Sequence, residues 1–207
     1  MIITFSGVDG AGKTTVINSL KSFLKEKGIK VKELRHRPGI LPILSTIKYG
    51  KKKARLLTMQ TNPHSGTNNS KISSFIRFTY YYIDYLIGQI WVIFAYSLRG
   101  YVVIYDRYYF DFIVDSKRTN ITISPKITIP LYVLITKPYL NIFLYAPTEV
   151  ILERKQELDK ESIEELTNNY LILFSNFSKK YKYSKYISIN NIDLSSTLNT
   201  IKNYLQV

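Results

Sequence analysis

The chain has 207 residues, of which 45% are hydrophobic and 21% are charged, a balance typical of a folded domain rather than of a disordered chain. Because it contains no cysteine, disulfides, zinc–thiolate sites and cysteine-based catalysis are excluded. Lysine and arginine total 29 against 15 acidic residues, and the formal charge of +14 favours anionic partners such as nucleotides or phosphorylated compounds. An AT-rich coding sequence would leave a similar excess of lysine, so charge alone does not identify the partner.

Short apolar segments alternate with amphipathic ones along most of the chain. The apolar segments predict strands at residues 2–5, 31–35, 101–105, 140–145 and 186–189. The amphipathic segments predict helices at residues 13–27, 72–98, 148–157 and 161–181, and a last helix capped by Asp193 or Ser195. Such alternation forms βαβ units and predicts the α/β class, with a three-layer α/β/α arrangement around a five-stranded parallel sheet.

The pattern weakens between the second strand and the long helix. We expect one domain over residues 1–207, with a loop or insert at about 38–70 that carries a basic cluster at 48–55. The helix at 72–98 contains Arg77 and Asp84, so we expect a buried helix and no membrane span. The first residues do not resemble a signal peptide, and we expect a cytoplasmic protein.

The sharpest signal is the segment from Gly7 to Thr14, which matches the phosphate-loop pattern G-x-x-x-x-G-K-[ST]. A strand precedes it and a helix follows, so backbone N–H groups and the helix amino terminus can face bound phosphates. Lys13 is predicted to reach the β- and γ-phosphates, and the Thr14 hydroxyl to bind Mg²⁺. The residues expected to bind the nucleotide are Gly7, Asp9, Gly10, Ala11, Gly12, Lys13, Thr14 and Thr15.

Two further blocks follow the loop in the sequence. Tyr105-Asp106-Arg107-Tyr108 comes directly after a strand, and Ala146-Pro147-Thr148-Glu149-Val150 leads to Arg154. With the loop, these blocks resemble the thymidylate kinase family in order and spacing: a P-loop, a D-R-Y motif, and a proline-started helix that leads to a lid arginine. The resemblance covers most of the chain and places a short lid at about 154–162.

The resemblance implies a P-loop kinase of nucleoside monophosphates, with ATP as donor, Mg²⁺ as cofactor and a homodimer as the assembled form. It implies that Lys13 holds the donor phosphates, that Asp9 faces the acceptor and that Asp106 holds Mg²⁺ through water. Arg107 would contact the phosphate in transfer, and Arg154 would act from the lid. These roles suit phosphoryl transfer, which depends on alignment and on cations placed where negative charge spreads.

The chain departs from the family pattern on the acceptor side. Ser6 stands where a glutamate usually precedes the loop, and Arg37 replaces the acidic residue of an R-E-P-G stretch. Tyr85 falls where the family has an arginine that grips the acceptor phosphate, with Arg77 two helical turns away. Asp111, after the D-R-Y motif, suits a hydroxyl acceptor or a second Mg²⁺ contact. The residues expected to bind the acceptor are Arg37, Arg77, Tyr85, Tyr108 and Asp111.

Three functions stay open at this point. The first is an ATP-dependent kinase of a small acceptor, with a nucleoside monophosphate such as dTMP as the default. The second keeps the kinase but takes a sugar or another alcohol, because the acceptor-side residues differ from the family pattern. The third is a non-catalytic nucleotide-binding protein, prompted by the charge and the short lid. Nucleic acid is not expected as a partner, since no motif beyond charge supports it, and the segment 190–193 only faintly resembles a guanine-binding N-K-x-D motif.

Overall fold

A computed structural model describes residues 1–47, 50, 52, 68 and 70–205. The chain packs as two compact units. The first unit contains Met1–His36, Ile93–Tyr108 and Lys137–Val207, and the second contains Arg37–Val92 and Tyr109–Thr136. A single domain over residues 1–207 stays a prediction.

The first unit is built on a five-stranded sheet in which all neighbouring strands are parallel. The strands are β1 (Ile2–Ser6), β2 (Val31–Arg35), β3 (Val102–Asp106), β4 (Leu140–Tyr145) and β5 (Lys185–Asn190), in the order β2-β3-β1-β4-β5. The five predicted strands are therefore confirmed. Because β1 is central, the loop that follows it leaves the carboxyl edge of the sheet between β3 and β4, where open parallel sheets bind their ligands.

The helices of the described residues follow the predicted alternation. In chain order they are α1 (Lys13–Glu26), α2 (Lys71–Ala95), α3 (Phe110–Val114), α4 (Pro125–Leu131), α5 (Thr148–Arg154), α6 (Lys160–Lys180) and α7 (Leu194–Leu205). Residues 44–47 are also helical. Asp193, one of the two predicted caps, accepts a hydrogen bond from the backbone N–H of Ser196 in the first turn of α7.

Helices cover both faces of the sheet in the first unit. On one face, Leu20 of α1 and Ile201 of α7 belong to the same buried cluster as Ile142 of β4. On the other face, Tyr170 of α6 stacks on Phe143 with ring centroids 4.8 Å apart. The adjacent residues Ile142 and Phe143 thus point to opposite faces, as a strand requires. The predicted α/β/α layering is confirmed.

The second unit has an aromatic core. Phe112 of α3 lies edge-on to Phe78 and Tyr85 of α2, at centroid distances of 5.7 and 6.0 Å. Tyr109 is also buried, and its hydroxyl donates to the carbonyl oxygen of Thr128 in α4 at 2.9 Å. The Tyr109 hydroxyl is therefore hydrogen-bonded while its ring packs among the other aromatic side chains.

The structure differs from the sequence prediction at two helix ends. The long helix stops at Ala95 rather than at residue 98, and a separate 3₁₀ turn over Ser97–Arg99 follows. The helix predicted at 148–157 stops at Arg154, because Lys155 adopts an extended conformation with φ −160°. In both helices the apolar periodicity of the sequence continues past the last helical residue, so periodicity alone predicts a helix that is too long.

Two further segments show structure that the sequence pattern did not indicate. The loop or insert predicted at about 38–70 contains the helical residues 44–47, its extent stays a prediction, and most of its basic cluster lies outside the described residues. The helix α4 had no predicted counterpart: Ser124 caps it and Pro125 starts it, but Pro130 inside it hides the helical pattern. In the described part of the chain, no helix is both long and apolar enough to cross a membrane.

Candidate active site

The phosphate loop joins β1 directly to α1. Lys13, the first residue of α1, is buried, and its Nζ donates to the carbonyl oxygens of Gly7 and Val8, both at 2.9 Å. The side chain therefore curls back over its own loop. The ammonium group is kept where a phosphate entering the loop would meet it.

Asn191, the residue after β5, fixes the other end of the loop. Its Nδ2 donates to the carbonyl oxygen of Ala11 at 2.8 Å, and its Oδ1 accepts from the Thr197 hydroxyl at 2.9 Å. Gly12 has φ +84°, and a Cβ added to it would overlap Asn191 Nδ2. Position 12 therefore requires glycine for two reasons: its backbone is left-handed, and the Asn191 amide occupies the space that a Cβ would need.

Three cations surround the carboxylate of Asp9. Arg107 Nη2 donates to its Oδ1 at 2.5 Å, and Lys13 Nζ lies 3.6 Å from the same oxygen. Lys155 Nζ lies 3.9 Å from Oδ2. Lys155 also pairs with Glu157, whose Oε1 lies 2.8 Å from its Nζ. Two carboxylates with three cations leave a net positive charge beside the loop, which attracts anionic groups such as phosphates.

Arg107 adopts a strained backbone conformation at the carboxyl end of β3. Its φ is +73°, in the left-handed region, and its backbone N–H donates to the Phe5 carbonyl oxygen at 2.8 Å. A non-glycine residue in such a region costs about 1–3 kcal/mol and is found mostly at functional sites. The strained residue carries a buried guanidinium that is paired with Asp9, and its role in the reaction stays a prediction.

Asp106 and Thr14 offer the oxygen atoms expected for Mg²⁺. Asp106 ends β3 beside Phe5 of β1, and its Oδ2 lies 3.6 Å from Arg35 Nε. Thr14 is exposed in the first turn of α1. Carboxylate and hydroxyl oxygens suit Mg²⁺. Within the described ranges no group of three or more His, Cys, Asp or Glu side chains gathers around a metal position, and Mg²⁺ binding by Thr14 and Asp106 stays a prediction.

The end of α5 reaches the phosphate loop. Arg154 is exposed, and its Nη1 donates to the carbonyl oxygen of Gly10 at 3.3 Å. The extended residue Lys155 then reaches Asp9. The arginine expected in the lid therefore lies beside the loop, and the lysine that follows shares its position.

Tyr108, expected to bind the acceptor, lies in the core of the first unit. It is 2% exposed, and its ring meets Tyr105 edge-on at 5.1 Å. Burial raises the pKa of Tyr108 well above its ordinary value, and the neighbouring Tyr105 and Tyr186 raise it further. The structure shows a packing role for this tyrosine, and its contact with an acceptor stays a prediction.

Arg37 lies in the second unit as half of a buried ion pair. Its Nη1 donates to Asp84 Oδ2 at 2.6 Å, and its guanidinium stacks over Tyr81 at 4.9 Å from the ring centroid. Asp84, fully buried in α2, also accepts backbone N–H groups from Gly39 at 2.9 Å and from Leu41 at 2.6 Å. Asp84 therefore anchors the segment that follows β2 and neutralises the arginine expected to bind the acceptor.

The other three acceptor-side residues differ in exposure. Tyr85 is fully buried, edge-on to Tyr109 at 5.6 Å, and Asp111 is fully buried on α3. Arg77 is partly exposed and lines a cavity of about 640 Å³ with Ser73 and other residues of the second unit. Their contact with an acceptor stays a prediction.

Sequence reasoning missed Asn191 and Asp84 as organising residues. Asn191 belongs to the segment dismissed as a faint guanine motif, and its real partner is the phosphate loop 180 residues away. In the sequence, Asp84 argues only against a membrane span. A single carboxylate inside an apolar helix was the available signal, because such a group must be paired when it is buried.

The sheet order and the loop after β1 define the protein class. A central strand that ends in a phosphate loop, within an all-parallel sheet covered by helices on both faces, is the P-loop NTPase fold. The family model for thymidylate kinase matches residues 5–203. The chain belongs to the thymidylate kinase family and is a phosphotransferase.

Individual relatives agree with this assignment. The chain is 32% identical over 172 residues to a probable thymidylate kinase from Archaeoglobus fulgidus, which covers 78% of this chain and 72% of the relative. It is 27% identical over 157 residues to a probable thymidylate kinase from Staphylothermus marinus, over 76% of this chain and 69% of the relative. A shorter match of 48 residues, at 46% identity, joins it to a thymidylate kinase from Chlorobaculum tepidum over 23% of this chain and 22% of the relative.

Proposed function

We propose that this protein transfers the γ-phosphate of ATP to a nucleoside monophosphate, with dTMP as the first acceptor to test. The observation that carries the proposal is the gathering of Lys13, Arg107 and Lys155 around Asp9 of the phosphate loop. The names of its relatives support the acceptor class. We further propose that the reaction takes place in the cytoplasm.

In this proposal each loop residue has one task. Lys13 and the loop N–H groups bind the donor phosphates, and Arg107 stabilises the charge that spreads over the transferred group. Thr14 and Asp106 hold Mg²⁺, which neutralises phosphate oxygens when it is bound. Arg154, already bonded to Gly10 at the loop, adds a cation from the lid.

A second candidate is a kinase of a sugar or another alcohol. Arg37, expected to bind the acceptor, is paired with Asp84, and the buried, uncharged Tyr85 stands where the family has the arginine for the acceptor phosphate. An acceptor without a phosphate would need no cation at either position. This observation favours a changed acceptor while leaving the donor site intact.

The test is ADP release from Mg-ATP in the presence of separate pools of nucleoside monophosphates and of sugars. Lys13→Ala removes the loop ammonium, whereas Lys25→Ala removes an exposed one from the same helix and serves as the matched control. Turnover with dTMP or dUMP that is lost in Lys13→Ala and kept in Lys25→Ala supports the first proposal. Turnover with sugars alone supports the second candidate, and equal damage by both substitutions would show that the active site lies elsewhere.

We also propose that the protein is a homodimer that pairs through α2. Ile83, Ile87 and Ile90 are each more than two-fifths exposed and repeat at spacings of four and three residues, the period of paired helices. Light scattering should give twice the chain mass for the wild type and for Ile172→Glu, and a monomer mass for Ile87→Glu. Ile87 and Ile172 are both 52% exposed, so the two substitutions are matched. A monomeric wild type would refute the proposal.

A further inference from the structure

The first unit contains a cavity that the kinase reaction does not use. Its volume is about 320 Å³, near the lower end for small-molecule sites. The residues before β4 and β5 form it, at the amino-terminal edge of the sheet and so at the edge opposite to the phosphate loop. Its lining residues are Lys137, Lys180, Tyr181, Lys182, Tyr183 and Ser184.

The cavity is lined by cations and by no acidic residue. The segments 137–148 and 166–192, which contain the lining residues, hold no Asp or Glu, although the chain has 15 acidic residues. Lys137 Nζ and Lys180 Nζ both lie over the ring of Tyr181, at 5.2 and 5.4 Å from its centroid. Lysines gathered around one concave surface produce a positive potential that attracts anions.

The protonation of Lys137 reflects this environment. Burial and, to a smaller extent, the charge of Lys180 together lower the pKa of Lys137 to about 8. Lys182 and the tyrosines 181 and 183 are the other titratable groups of the lining. An anion placed between the lysines would offset both the burial and the repulsion.

The floor of the cavity is fixed by a buried polar network. The Ser184 hydroxyl donates to the Pro138 carbonyl oxygen, and Asn141 Nδ2 donates to Ser184 Oγ at 2.9 Å. Asn141 Nδ2 also lies 3.1 Å from the Lys185 carbonyl oxygen, and its Oδ1 accepts from the Thr4 hydroxyl at 2.9 Å. The network ties β1, β4 and β5 together, so the lysines project from a rigid base and binding would need little ordering of the backbone.

An aromatic ring stands at the rim. Tyr183 is fully exposed, whereas most large rings in this chain are packed. An exposed ring beside a cationic cavity presents a face on which a planar base can stack while its phosphate meets the lysines.

We propose that this cavity is a second anion site, which binds the phosphate group of a small phosphorylated ligand of up to nucleotide size. The phosphate is the recognised group, and Lys137, Lys180 and Lys182 are the side chains that bind it. The ligand is either an inorganic polyphosphate or a nucleotide that also stacks on Tyr183. The site is independent of the transfer reaction, and it can exist whichever acceptor the kinase uses.

The first experiment measures binding with the phosphate loop silenced by Lys13→Ala. Calorimetric titrations use inorganic pyrophosphate, ADP and a short single-stranded oligothymidylate as probes. The test variant adds Lys137→Gln, Lys180→Gln and Lys182→Gln. The control variant adds Lys25→Gln, Lys27→Gln and Lys30→Gln, which remove the same charge from exposed lysines, two of them also lying over aromatic rings.

We expect pyrophosphate or ADP to bind about tenfold or more weakly to the test variant than to the control variant, since each lost charged hydrogen bond weakens binding by that order. Tighter binding of ADP than of pyrophosphate, lost in Tyr183→Ala, identifies a nucleotide; equal binding identifies polyphosphate. Equal binding by the test and control variants overturns the proposal. Lysine-dependent binding of the oligonucleotide alone also overturns it, in favour of a nucleic-acid surface.

The second experiment reports on the cavity with all its lysines present, and a substitution serves only to assign one signal. The Lys137 side chain is titrated by NMR after isotopic methylation of the lysines, with Lys137→Arg used only to assign the signal. Saturating pyrophosphate or ADP should move the pKa of Lys137 upward from about 8. A titration curve unchanged by both ligands overturns the proposal even when binding occurs elsewhere.

Discussion

The link between Gly12 and Asn191 allows a quantitative prediction for the phosphate loop. Asn191→Ala removes two buried hydrogen bonds, to the Ala11 carbonyl oxygen and from the Thr197 hydroxyl, each with a net contribution of about 0.5–1.5 kcal/mol. Gly12→Ala places a residue with a Cβ at φ +84°, which costs about 1–2 kcal/mol. The added Cβ also displaces the Asn191 amide, so this single substitution breaks the same two hydrogen bonds.

The two substitutions should therefore not be additive. Once Gly12→Ala has displaced the amide, adding Asn191→Ala removes little more, and the double variant should be nearly as stable as Gly12→Ala alone. The coupling then equals the effect of Asn191→Ala, about 1–3 kcal/mol. Urea unfolding of the wild type, the two single variants and the double variant measures this coupling. Asn190→Ala, at an exposed neighbouring residue, is the matched control.

Binding of a fluorescent ATP analogue provides a second measure of the same coupling. Both single variants should weaken binding, because each changes the position of the Ala11 carbonyl oxygen and of the loop N–H groups. Additive unfolding free energies, within about 0.5 kcal/mol, would refute the reasoning and show that the loop accommodates the new Cβ by another movement.

Three further predictions concern the core and the cationic cavity. Asp84→Asn leaves Arg37 buried without its carboxylate, so the free energy of unfolding should fall by about 3–5 kcal/mol in a urea titration and recover in part when Arg37→Met is added. Ser6→Ala removes a buried hydroxyl that finds no hydrogen-bond partner among the residues described, so stability should stay equal or rise by up to about 1 kcal/mol; a clear fall would contradict this. Folding lowers the pKa of Lys137 from 10.5 to about 8, so between these values the unfolded chain binds more protons and the free energy of unfolding should rise with pH. The same unfolding series on Lys137→Gln should lack that rise, and parallel pH profiles for the two proteins would refute the assignment.

The sequence was sufficient for features that depend on local pattern. The apolar runs gave the five strands because a buried parallel strand is continuous in hydrophobicity. The phosphate loop was found because glycine, lysine and threonine are needed at fixed spacing. The resemblance to the family predicts that Asp106, Arg107 and Arg154 belong to the same site as the phosphate loop.

Features that depend on long-range pairing were not visible. Asp84 contacts Arg37 across 47 residues, and Asn191 contacts Ala11 across 180. In neither pair does the sequence around one residue indicate which residue it will contact. Tyr108 shows a further limit of local pattern. Its place in a motif at the end of a strand predicts contact with the acceptor, which stays a prediction, but does not reveal that its ring packs against Tyr105 in the core of the first unit.

The hydrogen bonds that Lys13 makes to Gly7 and Val8 have a consequence for which molecules the loop admits. The ammonium group donates to two carbonyl oxygens, so under the proposed function a phosphate that binds Lys13 competes with both acceptors. A di- or triphosphate supplies several anionic oxygens at once, whereas a neutral or singly charged molecule supplies fewer. We therefore expect the loop to select ligands by charge before any base or sugar is recognised.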